Sequence, residues 1–143
     1  MKVKIKRIDQ SLPLPQYATS GSVCFDLLAR EDMSVAAKSL ALIPTNIIIE
    51  TPLGFMFVVV PRSSTPRKKN FLIPHGIGVI DQDYSGPKDE VLFQVYNFSD
   101  TDVKVEKGER LAQGCFVPVE RVEFEEVTEN ITEESRGGIG STG

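Results

Sequence analysis

The apolar residues of this chain fall into short runs, and none of them keeps the spacing of a helix. Val3 to Ile8 alternates. Ser22 to Ala29 reads as a strand carrying Asp26, and Leu40 to Glu50 reads as another, broken at Pro44. Phe55 to Val60 is continuously apolar, as a strand buried on both faces would be. Glu90 to Asn97, Val103 to Glu106, Leu111 to Val119 and Val122 to Val127 complete the series. Turn-formers separate these runs: Pro52-Leu53-Gly54, Ser99-Asp100 and Lys107-Gly108-Glu109. Many short strands at close spacing predict an all-β sandwich or barrel. The 143 residues suffice for one domain with a hydrophobic core. We therefore expect a single β domain over residues 1–127. From residue 128 the sequence is polar and loses the strand pattern, so 128–143 is expected to be a C-terminal arm.

Composition removes several classes of function. A net charge of −4 argues against non-specific nucleic-acid binding. No apolar run approaches membrane-spanning length, so no membrane partner is expected. The opening Met-Lys-Val-Lys-Ile-Lys-Arg-Ile lacks the apolar core of a secretory signal. Cys24 and Cys115 are accordingly read as reduced thiols in a cytoplasmic setting. The one histidine, His75, cannot build a metal centre of the His/Cys type. Any metal would be held by carboxylates, water or the oxygens of a substrate.

Four further stretches, with Asp26, could carry chemistry. Gly78-Val79-Ile80-Asp81-Gln82-Asp83-Tyr84-Ser85-Gly86 follows the turn-formers Pro74-His75-Gly76. Its glycines permit sharp bends and close approach to a ligand. A carboxylate with a ring three residues on can activate a water and hold a flat substrate, although the same residues also suit a polar turn. Arg62-Ser63-Ser64 ends the most apolar run with a guanidinium and two hydroxyls, a good oxyanion cradle. It equally suits a strand end with a capping serine that opens a helical turn. Gly108 to Gln113 places Arg110 and Gln113 beside a turn, and a solvated hairpin would look the same. The tail Arg136-Gly137-Gly138-Ile139-Gly140-Ser141-Thr142-Gly143 could direct backbone N–H groups at phosphate, or be a solvated terminus. Asp26 stands in an apolar strand and needs partners there.

Taken in order, these stretches resemble the five motifs of the trimeric dUTPases, beginning with Gly21-Ser22-Val23-Cys24-Phe25-Asp26-Leu27. The resemblance covers essentially the whole chain. It implies a β jelly roll (a β-clip-type barrel) that forms a homotrimer with active sites shared between subunits, closed by a flexible glycine-rich C-terminal lid. It implies hydrolysis of dUTP to dUMP and pyrophosphate by water attack on the α-phosphate. Asp81 would be the catalytic residue that orients and deprotonates the water. Tyr84 would lie under the deoxyribose, where a 2′-hydroxyl would clash. The hairpin backbone from His75 and Gly76 to Gly78 would read the uracil edge. Arg62, Ser63, Ser64 and Gln113 would hold phosphates, with Arg136, Ser141 and Thr142 gripping the terminal one and Ile139 and Gly140 completing the lid. Mg²⁺ would be chelated mainly by substrate phosphates and waters, with Asp26 supporting it through water.

The chain departs from the family pattern in several places. Val23-Cys24 stands where Ala-Gly is usual, and Pro87-Lys88-Asp89 reads as an insertion beside the site. Ile139 replaces the usual aromatic of the tail, and Arg136 stands closer than usual to the glycine-rich end. Two alternatives share the fold. One is a dCTP deaminase-like enzyme, whose catalytic glutamate would fall at Gln94 or near Glu90. The other is a catalytically silent nucleotide-binding module, against which the intact Asp81 argues. The reading leaves a nuclear, organellar or viral setting open.

Overall fold

In a computed structural model, residues 1–138 are described. They form an all-β body with a single short helix among the described residues. β1 (Ile5–Arg7) pairs with β5 (Ile47–Ile49), and β3 (Met33–Val35) pairs with β10 (Val103–Val105), each antiparallel. A three-stranded sheet has the order β4 (Leu40–Pro44), β9 (Leu92–Asn97), β7 (Phe71–Leu72). The sheet that organises the site has four strands. Its order is β2 (Phe25–Leu28), β11 (Arg110–Pro118), β6 (Phe55–Pro61), β8 (Gly78–Ile80).

Alternation along these strands separates a core face from an outer face. Phe25 and Leu27 of β2, Phe57 and Val59 of β6, and Ala112 of β11 point inward. They meet Ile43, Phe71, Phe93 and Val95 from the other sheet. Phe57 stacks on Phe25 at 5.7 Å between centroids and lies 5.0 Å from Phe116. Gly114 makes this possible, because a Cβ there would lie within 2.6 Å of the Phe57 ring. The intervening residues face outward: Asp26 on β2, Gln113 and Cys115 on β11, Met56, Val58 and Val60 on β6, and Val79 on β8.

Most expected strands are present, with trimmed ends. The strand expected from Ser22 begins at Phe25, and Pro44 does divide β4 from β5. The strand expected over Val122 to Val127 is absent. That stretch alternates correctly, yet among the described residues it is exposed throughout, with Phe124 96% exposed. The last described backbone bond to the body runs from Val119 N–H to the Gly54 carbonyl, 2.9 Å. β3 was not among the expected strands, whereas the helical turn weighed for the end of Arg62-Ser63-Ser64 is present. β3 is three residues between Asp32 and Ala36 and is defined by its register with β10. The helix α1 (Thr65–Lys69) opens with proline in its first turn and ends at Asn70 in the left-handed region.

Candidate active site

The phosphate-cradle residues converge at one end of the four-stranded sheet. Asp26 on β2 lies opposite Gln113 on β11, and Arg62 follows directly on β6. Arg62 Nε is 2.9 Å from Asp26 Oδ1, and Arg110 Nη1 is 3.5 Å from Oδ2. Asp26 is thus partnered by two cations, which answers the cost of a mostly buried carboxylate. Gln113 Nε2 donates to the Pro61 carbonyl at 3.2 Å. The turn after β6 is tied to β11 twice: Arg62 N–H and Thr65 Oγ1 both donate to the Leu111 carbonyl, at 3.0 and 2.6 Å. Ser63 is exposed and Ser64 half-buried. Ser64 occupies the N-cap position of α1, but its side chain does not cap the helix. The helical turn is therefore present at Ser64, without the side-chain cap. Arg110 stands beside the turn of its stretch but was given no role in the expected site. The signal for it was Asp26 itself, a strand carboxylate that needed cationic partners.

One row along the same outer face stand Cys24 and Cys115, both free thiols. Burial, with the Cys115 thiol beside it, pushes the Cys24 thiol up. A thiol pushed that way is a poorer source of thiolate, so Cys24 is no activated nucleophile.

Asp81, the carboxylate expected to act on the water, lies elsewhere. Ile80 pairs with Phe57, so Asp81 emerges beside Met56, at the start of β6. It is exposed on a cleft of about 580 Å³ that Leu53, Phe55, Met56, Val119 and Arg121 help to line. Gln82 Nε2 donates to the Phe55 carbonyl at 3.0 Å and fixes the chain there. Tyr84 N–H donates to the Asp81 carbonyl at 3.4 Å, which closes a turn with the carboxylate and the ring at its two ends. Tyr84 is half-buried, and its hydroxyl donates to the Glu90 carbonyl at 3.2 Å. His75 and Gly76 form the exposed tip between β7 and β8, with Gly76 at φ +85°. Gly78 lies against Val59, and a Cβ there would stand 3.2 Å from the Val59 Cβ. Arg136 is exposed on the arm. Ile139, Gly140, Ser141 and Thr142 lie outside the described residues.

The cradle and Asp81 share one face of one sheet but occupy opposite ends of β6. Six residues separate Met56 from Arg62, about 20 Å along a strand. The structure therefore brings Asp26, Arg62, Ser63, Ser64 and Gln113 together, and Asp81 with Tyr84, but not the two groups with each other.

The rival acid is also accounted for. The Glu90 carboxylate accepts from Arg30 Nε at 2.9 Å and from the Asn46 N–H at 2.8 Å. It is engaged in structure rather than free for proton transfer, and Gln94 lies within β9.

The dUTPase family model matches residues 10–143 of the chain. The chain belongs to the dUTPase family. A deoxyuridine 5'-triphosphate nucleotidohydrolase from Hydrogenobaculum sp. is 40% identical over 145 residues, covering 100% of this chain and 99% of that one. The dUTPase of Streptococcus mutans superposes with a TM-score of 0.77 at 30% identity, covering 84% of this chain and 98% of its own. The dUTPase of Staphylococcus bacteriophage 80alpha, solved with dUPNHPP, shares the fold with a TM-score of 0.85 at 22% identity, over 99% and 98% of the two chains. As a dUTPase this chain is a hydrolase of nucleotide metabolism that acts on dUTP. No helix among the described residues is long and apolar enough to cross a membrane.

Proposed function

We propose that this dUTPase attacks the α-phosphate of dUTP with a water held by Asp81, in a site assembled from several copies of the chain. One observation carries the shared site: Asp81 and the Arg62 cradle lie about 20 Å apart along one strand. Reacting atoms must approach to about 3–3.5 Å, and a triphosphate is too short to bridge the remaining gap. One chain cannot supply both ends, but a second copy can. The outer face between them carries Met56, Val58, Val60 and Val79, with Val79 48% exposed. A head-to-tail ring of copies covers such a face and sets the Asp81 end of one subunit against the cradle end of the next. A homotrimer of jelly-roll subunits is the ring this reading takes.

Within that site the roles follow from chemistry. Asp81 is exposed at a cleft and accepts the water's proton as the oxygen attacks phosphorus. Tyr84, fixed at the other end of the same turn, lies under the deoxyribose. The backbone of His75, Gly76 and Gly78 reads the uracil edge at a hairpin where Gly78 permits close contact. Across the subunit boundary Arg62 meets the phosphates, aimed by Asp26, with the Ser63 and Ser64 hydroxyls and Gln113 beside it. In-line phosphoryl chemistry depends chiefly on such positioning and charge neutralisation. Arg136 and residues 139–142 act as a lid on the terminal phosphate. The setting proposed for the enzyme is the cytoplasm.

Mg²⁺ fits the donor set. Among the described residues no three His, Cys, Asp or Glu side chains gather as a cation site. Hard oxygens on the substrate and water suit Mg²⁺ without such a cage. Arg62 and Arg110 each face one oxygen of Asp26, and a carboxylate has lone pairs left for a bridging water. When bound, the ion would neutralise charge on the phosphates.

The shared site is tested by complementation. Asp81→Asn and Arg62→Ala should each lose most dUTP turnover, with Asp81→Asn still binding a non-hydrolysable analogue. Unfolding the two together and refolding the mixture should restore activity, because some sites then draw Asp81 and Arg62 from different parents. A mixture no more active than its components would defeat the shared-site reading.

A further inference from the structure

The insertion Pro87-Lys88-Asp89 has no part in the reaction so far described. It is folded back on itself: the Gly86 N–H donates to Asp89 Oδ2 at 2.7 Å, and the Asp89 N–H to the Gly86 carbonyl at 3.1 Å. This closed turn returns the chain to Tyr84, whose hydroxyl donates to the Glu90 carbonyl. Glu90 is in turn held on three sides. Its carboxylate takes the Arg30 guanidinium and the Asn46 N–H. Next to it the Val91 N–H donates to the Ile47 carbonyl at 2.9 Å, and Thr45 Oγ1 to the Val91 carbonyl at 2.6 Å. The Arg30 N–H is bonded to the Pro44 carbonyl at 2.9 Å. Asn46, in the left-handed region at φ 70°, is 2% exposed and exchanges two bonds with the Asp9 backbone. The anchor at the end of this chain of contacts is therefore a buried corner of the body rather than a loop.

The ion pair has the character of a fixed joint. The Glu90 side chain is 13% exposed and that of Arg30 28%. Glu90 raises the Arg30 guanidinium further above its ordinary range. Arg30 also reaches Glu31, Nη1 to Oε2 at 3.0 Å, but Glu90 has Arg30 as its one cation among the described residues, and removing Arg30 would leave that carboxylate shielded from water and unmatched.

We propose that Arg30 and Glu90 are positioning residues for sugar selectivity. They fix the carbonyl that tethers the Tyr84 hydroxyl, and so fix how closely the ring approaches C2′ of the bound nucleotide. The inference rests on the reading that places Tyr84 under the deoxyribose. A ring held tightly excludes a 2′-hydroxyl, and a ring released by even a small shift admits one. The insertion supplies the length of chain that lets Glu90 reach both the corner and the tyrosine.

The test measures kcat/KM for dUTP and for UTP, together with the melting temperature. Arg30→Ala and Glu90→Ala should raise the KM for dUTP more than they lower kcat, and should narrow the preference for dUTP over UTP by roughly ten- to a hundredfold. Arg30→Lys and Glu90→Gln should retain most of the preference. Tyr84→Phe cuts the tether without touching the ion pair, and should narrow the preference at an almost unchanged melting temperature. It keeps the proposal falsifiable if the alanine variants do not fold. A lower melting temperature with an unchanged dUTP/UTP ratio in the alanine variants would make the pair merely structural and overturn the proposal, as would an unaltered ratio in Tyr84→Phe. Tyr84→Ala separates the two levels. If it leaves the ratio unchanged, the ring is not under the sugar and the underlying reading fails. If it narrows the ratio while the Arg30 and Glu90 variants do not, only the clamp fails.

Discussion

At the scale of single residues, Gly114 shows how a small side chain is dictated by a large one. The inward face of the four-stranded sheet is built on the Phe57 ring, and Gly114 is where β11 passes over it. Gly114→Ala places a methyl in space the ring already fills. Overpacking of this kind typically costs about 1–3 kcal/mol, and we expect a loss of that order in chemical denaturation. An unchanged denaturation midpoint would show that the Phe25, Phe57 and Phe116 cluster can move aside. Asp26 makes the complementary point for polar residues. Its position inside an apolar stretch signalled a need for partners, but the sequence alone left open which cations would come. Arg62 and Arg110 are far from it along the chain, and only the register of β2, β11 and β6 brings them in.

At the scale of elements, the C-terminal arm separates local pattern from tertiary context. Val122 to Val127 has the alternation of a strand and no sheet in its own chain to join. Alternation reports what a segment could pair with, not whether a partner is present. A chain ending at Ser135 should therefore keep the fold and the assembly of the parent, because the sequence beyond is too polar and glycine-rich to build a core. It should lose much of its turnover, since the lid's donors act on charge that develops on the phosphates. Sedimentation and a pyrophosphate-release assay check the two halves, and full activity in the truncated chain would remove the lid from the mechanism. The strands of the body were legible for the opposite reason. β4, β5, β6 and β9 each combine a clear apolar run with a proline or turn at the boundary. β3 was not, because three residues carry too little periodicity to stand out. The motifs named both groups of candidate residues, but they could not show that the groups lie at opposite ends of one strand. That is a property of sheet register, which the sequence specifies only through the packing it drives.

At the scale of the whole molecule, the four-stranded sheet has an order that differs from the order of synthesis. Its central strand, β11, is the last strand made, yet it separates β2 from β6. Until Arg110–Pro118 has left the ribosome, β2 has no neighbour in this sheet other than the single bridge from Phe25 to Tyr17. The β6–β8 pair meanwhile exposes an open edge. Long-range pairing of this sort is slow, because loop closure must be completed before any contact rewards it. A fragment ending at Glu109 should remain sensitive to protease and lack cooperative melting, whereas one ending at Ser135 should resist protease and melt as a unit. Closure of this sheet thereby waits for β11 to be synthesised. The same late strand carries Gln113, so the proposed phosphate cradle is completed in the step that closes the sheet, and on that reading no chain lacking β11 can hold a nucleotide there.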